Sequence, residues 1–465
     1  MNKILIGGGA SLASVLNFIS ILLWAKILAP EEYGTYALIA TWGLLLNGTV
    51  FEWLRQTLSR NIYDSERQYR PESVSPIVAL YALTIFLLSV FYVVVLLVIS
   101  PHSNTLFWIL IFAVAEGSFV ITVTLHTIYA RARRYFVSMV GRGTAIPVLS
   151  YFLIQQMDDQ GVAVVTAIVS VSLIIAFVNF LFEPALRCVQ LSQITRANIK
   201  ATVGFGLPLA FSATTNALAG QIDRILVGAI LGPTTLGVYA VICDIAQKPI
   251  SVLLTAINTV AYPYYLRSTE NSGIAQGFKS LNLSGNYLIA ATVGMPVVCY
   301  LFGDLLLGFF YNEDIPSYAA VVFGAAAATA LVRGLLGAFY FPAFQLARET
   351  RIIMQISVTL MIASLSATSL GGLAAGIYGI ALGSLIAVII GLSVAENKVR
   401  RLGPASLFTR RNFGLALAHV VWLPLYLLLH NWGYQWWILP ALYITATYST
   451  ASLVMWRQTR IGKTE

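Results

Sequence analysis

Six charged side chains fall where a membrane-like chain has least room for them. Glu116, Asp223, Arg224, Asp244, Lys248 and Arg333 all lie inside long apolar runs. A charge at the centre of a membrane helix costs roughly 2.5–3.5 kcal/mol on insertion scales. Such groups must therefore face one another or a polar cavity, and two chemistries follow. The charges can neutralise one another and pin helices together. Alternatively, the cations can hold an anionic group in passage through charge-assisted hydrogen bonds. Asp244 and Lys248 are spaced to pair on one helix face, which gives Lys248 a partner of its own. Arg224 and Arg333 are then the stronger anion-binding candidates. Arg55, at the end of the second apolar run, is a fourth cation for the same task. Asp223, Asp244 and Glu116 are the matching charge partners or ion-coupling groups. The amides Asn17, Asn47, Asn216, Gln221, Gln247 and Asn258 also lie within apolar runs. They suit interhelical hydrogen bonds first and sugar hydroxyls second.

The elements that carry these groups are membrane spans. The chain of 465 residues is 58% hydrophobic and only 10% charged, whereas soluble domains carry about 25% charged residues. A span takes about 20 apolar residues as helix. Fourteen runs qualify, near 4–28, 34–54, 76–100, 105–130, 139–157, 161–183, 202–230, 235–263, 282–303, 317–344, 351–371, 373–395, 413–430 and 434–456. Pro147 interrupts the fifth. Pro208, Pro249, Pro296 and Pro342 fall in later runs and predict bends, because proline removes a helix hydrogen bond.

Charge fixes the expected orientation. Of the 28 Lys and Arg residues, 24 collect on one side if the N-terminus is inside. They include Arg55, Arg60, Arg67 and Arg70, then Arg131, Arg133, Arg134 and Arg142, and later Lys398, Arg400 and Arg401. Lys26 alone falls outside, at a span end. The positive-inside rule then predicts both termini in the cytoplasm. The first run reads as a retained span rather than a cleaved leader. The net charge of +9 sits in short loops rather than on one face, which argues against nucleic acid as partner. Span 7 runs outward, so Asp223 and Arg224 lie about 12 Å below its outer end at 1.5 Å per residue. By this reckoning all the cations at depth belong to the second half of the chain.

No catalytic or metal pattern emerges. There is no phosphate-binding loop of the G-x-x-x-x-G-K-[ST] type, and Gly7-Gly8-Gly9 follows no strand. His102, His126, His419 and His430 show no metal or acid–base spacing, and Cys188, Cys243 and Cys299 imply no pairing. No cofactor is expected, and the driving energy must come from a gradient or the membrane potential.

One motif occurs twice. Residues 27–37 read I-L-A-P-E-E-Y-G-T-Y-A and residues 230–240 read I-L-G-P-T-T-L-G-V-Y-A. Both copies sit at outer turns, six spans apart, so the halves share one orientation and are related by an axis along the membrane normal. The expected architecture is all-α, with a six-helix lobe over 1–195, a second over 196–396, and a helix pair with tail over 397–465.

The first motif and the longer stretch from Asp223 to Val241, followed by Pro249 and by A-Y-P-Y-Y at 261–265, resemble the polysaccharide transporter family. That family belongs to the multidrug/oligosaccharidyl-lipid/polysaccharide flippase superfamily. The resemblance spans nearly the whole 6 + 6 + 2 plan. It implies an undecaprenyl-pyrophosphate-linked oligosaccharide as substrate, carried across the bacterial inner membrane by alternating access. It also implies membrane lipids, a polysaccharide polymerase and a chain-length regulator as partners. The buried cations agree with a pyrophosphate. Three alternatives remain open: a lipid II-type precursor flippase, a cation-coupled drug antiporter of the same superfamily, and a membrane glycosyltransferase or ligase. The antiporter is disfavoured because the first span carries no acid.

Overall fold

The computed structural model describes residues 2–64, 71–98, 104–129, 131–183, 189–310, 315–403, 405–409, 412–414 and 445. The expected last two spans, 413–430 and 434–456, fall almost wholly outside these residues. Among the described residues the chain is helical, with no strand. Nine helical stretches are long and apolar enough to cross a membrane, or ten if one bent pair is counted as a span. The protein is a multi-pass all-α membrane protein.

The first unit, Met1–Val241, contains α1 (Asn2–Ile27), α2 (Pro30–Val50), α3 (Glu52–Asp64), α4 (Pro71–Val98), α5 (Asn104–Ile128), α6 (Ala132–Ile154) and α7 (Gln160–Phe182). It also holds the whole first arm of α8 (Arg196–Ser272) and the start of the second. Pro30 stands at the first turn of α2, where its missing N–H costs nothing. The run expected at 34–54 ends sooner, because α2 and the first part of α3 meet at a 42° bend. Phe51, at the bend, is buried, and a Cβ on Gly117 would lie 2.7 Å from its ring. Helix α6 passes straight through Pro147 and begins seven residues before the expected 139.

Helix α8 is one run of 77 residues broken at Gly232, whose φ of 85° and ψ of 173° suit glycine alone. The arms 196–231 and 233–272 fold back on each other there, since Tyr239 reaches Asp223 across the turn. The duplicated motif explains the packing of this unit. A Cβ on Gly34 would lie 2.1 Å from the carbonyl oxygen of Pro233, and one on Gly237 would lie 1.7 Å from that of Pro30. The two copies thus meet backbone to backbone, each glycine seated on the other copy's proline carbonyl. The tip residues Glu31, Pro233 and Thr234 are exposed, whereas both glycines are buried.

The second unit, Ile242–Glu465, contains the rest of α8, α9 (Ile274–Thr292), α10 (Met295–Phe310), α11 (Ala319–Leu335), a π-helical turn at Leu336–Tyr340, α12 (Phe341–Leu346) and α13 (Thr350–Leu402). The single span expected at 282–303 is two helices that meet just before Pro296. Pro342 follows the π turn directly. Pro208 and Pro249 instead sit inside the arms of α8, where Gly232 is the one non-helical residue. Helix α13 breaks at Ala375 and Gly376, which turns the expected spans 351–371 and 373–395 into a hairpin. Its arms touch through glycine: a Cβ on Gly379 would lie 1.8 Å from the Gly371 carbonyl oxygen. Small residues are what allow membrane helices to approach so closely.

Candidate functional site

Asp223 is buried, 6% exposed, in the first arm of α8. Its Oδ2 accepts a hydrogen bond from the Tyr239 hydroxyl at 2.9 Å, and its Oδ1 accepts one from the Arg224 backbone N–H at 2.9 Å. Tyr239 is the tyrosine of the second motif copy and is itself buried. The carboxylate therefore clasps the two arms together through two neutral donors. Arg224, next in the chain, is half-buried. The amide oxygen of Gln221, one helical turn away, is buried and accepts no hydrogen bond among the described residues.

In the second unit, Asp244 is buried and Lys248 half-buried on the second arm of α8. The expected ion pair between them is not among those of the described residues. An i,i+4 pair is worth only about 0.2–0.5 kcal/mol, too little to hold a long lysine chain in one place. Arg333 occupies the last turn of α11, immediately before the π turn. A Cβ on the adjacent Gly334 would lie 2.1 Å from Leu254 Cδ1, so the Arg333 end of α11 packs against the arm that carries Asp244 and Lys248. Lys248 lies six residues from Leu254, about 9 Å along that arm. Single π turns within α-helices are frequent at functional sites, and this one directly follows the turn that carries Arg333.

Two residues stand elsewhere than the sequence suggested. Arg142, expected in an inner loop, is in the middle of α6 and forms an ion pair with Glu116 of α5. Its Nε donates to Ser172 Oγ of α7 at 3.0 Å, and its guanidinium carbon lies 4.4 Å from the centre of the Phe119 ring. A cation at depth therefore exists in the first half too, and Glu116 is its charge partner. Arg55 is bound to Glu52, one turn earlier on α3, with Nε 2.8 Å from Oε2 and a second contact from Nη2 to Oε1.

Sequence reasoning missed a pair of buried carboxylates. Glu183 caps the end of α7 and is 1% exposed. Arg131 Nη1 reaches both its oxygens, at 2.6 and 2.5 Å, and His126 Nδ1 lies 3.5 Å away. Glu396, near the end of α13, accepts from the Tyr340 hydroxyl at 2.6 Å and from Arg400 Nε at 2.7 Å, with Ser406 Oγ also bound. Glu183 and Glu396 are 213 positions apart, and His126 and Tyr340 are 214 apart. The signal was there to read: one acid at the end of a sixth span, close to an arginine, in each half.

Among the described residues, no group of three or more His, Cys, Asp or Glu side chains is placed to hold a metal ion. Cys243 and Cys299 are free thiols, and Cys188 lies outside the described residues.

Three comparisons bear on this arrangement. A family model described as polysaccharide biosynthesis protein matches residues 23–316. Comparison with curated protein sequences finds no match. Among solved structures, the lipid II flippase MurJ in an inward closed conformation is similar with a TM-score of 0.75 at 12% identity, covering 98% of this chain and 99% of that one. An inward-facing multidrug resistance MATE family transporter of the MOP superfamily is similar with a TM-score of 0.56 at 14% identity, covering 84% and 95%. These likenesses establish the fold, and the family match covers well over half of the chain. The chain belongs to the polysaccharide biosynthesis protein family.

Proposed function

We propose that the protein is a flippase for oligosaccharide units linked to undecaprenyl pyrophosphate. It carries them from the inner to the outer leaflet of a bacterial inner membrane, both termini lying in the cytoplasm. The product feeds O-antigen, capsule or exopolysaccharide assembly, with a polymerase and a chain-length regulator acting downstream. The observation that carries this reading is the set of membrane-depth cations, Arg224, Lys248 and Arg333, on helices α8 and α11 of a polysaccharide-family chain.

A pyrophosphate presents several anionic oxygens, which guanidinium groups bind with bidentate, charge-assisted hydrogen bonds. Buried amide oxygens such as that of Gln221 accept from sugar hydroxyls. Two lobes, residues 1–195 and 196–396, work by alternating access, and the prenyl chain stays in the bilayer. Arg55 plays a lesser part, since Glu52 already engages it.

The test is flipping of a pyrophosphate-linked prenyl oligosaccharide by purified protein in liposomes, together with polymer export in cells. Arg224→Ala and Arg333→Ala are expected to abolish both at unchanged protein abundance. Normal transport in both single variants sinks the cationic-site reading. A lipid II-type precursor and a cationic drug, offered to the same liposomes, are the competing substrates; preferential movement of either replaces this reading.

A further inference from the structure

We propose that the two copies of the I-L-x-P-x-x-x-G-x-Y-A motif form a reversible seal above the anion site, and that the Tyr239–Asp223 hydrogen bond links this seal to the site. The inference deepens the flippase reading and rests on it for the direction of transport.

The contact is reciprocal. Pro30 and Pro233 each begin a helix, and each offers its carbonyl to the glycine of the other copy. A Cβ at Gly34 would also stand 3.2 Å from the Gly237 nitrogen, and one at Gly237 would stand 2.9 Å from the Gly34 nitrogen. The approximate two-fold relation between the copies therefore passes between the two glycines. No side chain from either glycine enters the contact, so the two backbones meet directly. Backbone obstacles cannot swing aside as side chains do, so any Cβ at either position must push the copies apart.

The seal is also positioned to matter. Arg224 lies eight residues before the Gly232 turn, about 12 Å deeper along the arm. With the copies in contact, the way from that level to the motif end is shut on the side where they meet. The turn at Gly232 uses a backbone conformation open to glycine, which makes it a natural pivot for the second arm. Tyr239 travels with that arm. Its hydroxyl holds Asp223, whose other oxygen holds the backbone of Arg224. Lifting the second copy therefore pulls on the residue that flanks the anion-binding arginine, and an anion that recruits Arg224 acts back on the clasp.

The seal can be read without substrate. In a full-length protein with its three cysteines replaced, Gln221→Cys places one thiol below the seal, and a charged, membrane-impermeant thiol reagent probes it from the periplasmic face of spheroplasts. The thiol is expected to react slowly with the native motif. It should react at least about tenfold faster with Gly34→Leu or Gly237→Leu, equivalent to ~1.4 kcal/mol against closure. Gly141→Leu is the control, because nothing lies within 4 Å of a Cβ there. Tyr239→Phe is expected to raise the rate as well, by a smaller factor. Unchanged labelling in Gly34→Leu and Gly237→Leu proteins of normal abundance overturns the seal. If the leucine variants fail to accumulate, Gly34→Ala and Gly237→Ala decide by the same criterion, since the clash begins at Cβ. Faster labelling from the cytoplasmic face alone overturns the placement of the motif at the exit. Normal transport in both Arg224→Ala and Arg333→Ala with fast labelling in the leucine variants fails the substrate reading and leaves the seal standing, whereas lost transport in Arg224→Ala with unchanged labelling in the leucine variants fails the seal alone.

Discussion

Glu116 and Asp223 are both buried carboxylates in membrane helices, and they are held in opposite ways. Glu116 is locked to the Arg142 guanidinium, which Ser172 and the Phe119 face hold in turn. Asp223 has a phenol and a backbone N–H, both neutral. A full ion pair away from water is hard to open, because either charge left alone pays for its desolvation. A carboxylate held by neutral donors keeps its charge available and can exchange partners. The first arrangement suits a fixed brace across α5, α6 and α7. The second suits a group that takes part in motion. Under the proposed flippase reading, the difference assigns Asp223 of α8 to the moving part and the Glu116–Arg142 pair to the frame.

The comparison can be broken at several points. Glu116→Ala strands Arg142 and is expected to cost about 3–5 kcal/mol of stability, read as unfolding in detergent by circular dichroism. The double variant Glu116→Ala/Arg142→Met should recover most of that loss; no recovery means that the pair is not the brace. Tyr239→Phe removes one donor from buried Asp223 and should cost about 1–3 kcal/mol, with a coupling to Asp223→Asn in a double-mutant cycle. Asp223→Asn alone keeps an acceptor for the Arg224 N–H and can donate its NH2 to the Tyr239 hydroxyl, so its stability cost should stay under about 1.5 kcal/mol while transport falls. A larger destabilisation than Glu116→Ala would reverse the assignment of brace and moving group. The smallest effect is expected from Glu32→Gln. Glu32 Oε2 accepts from the Gly161 N–H at the start of α7, 2.7 Å away, and losing its charge there should cost about 0.3–1 kcal/mol, measured in the same unfolding assay.

Much of the fold was legible because hydropathy and turn chemistry are local signals. The runs 4–28, 76–100, 105–130 and 161–183 match helices to within a few residues, whereas α2 begins at Pro30, four residues before the expected 34. The duplicated tip was readable as a repeat, but not as a contact, because reciprocity between Gly34 and Gly237 is a three-dimensional fact. Arg142 was misplaced for a physical reason. A hydropathy window scores each residue by its own transfer cost, and an arginine neutralised by a glutamate 26 residues earlier in sequence looks the same as one in a loop. Helices α3 and α9 were under-read for a related reason. They continue beyond the apolar core with polar residues such as Gln56, Gln276 and Lys279, where no apolar run announces them. The cations of α8 and α11 were visible as unusual charges.

The π turn at Leu336–Tyr340 has a bearing on how this protein tolerates change in length. An i→i+5 turn houses one residue more than the α-helical turn it replaces. Each residue of an α-helix advances the side-chain direction by about 100°. Removing a single residue from 336–340 would thus leave a continuous helix rather than a broken one, an outcome that few transmembrane segments offer. It would also leave Arg333 near its present bearing relative to Tyr340 and its Glu396 anchor, because the wider turn already absorbs the extra 100°. The segment is thus one residue of slack in the chain, taken up without turning the helix on either side.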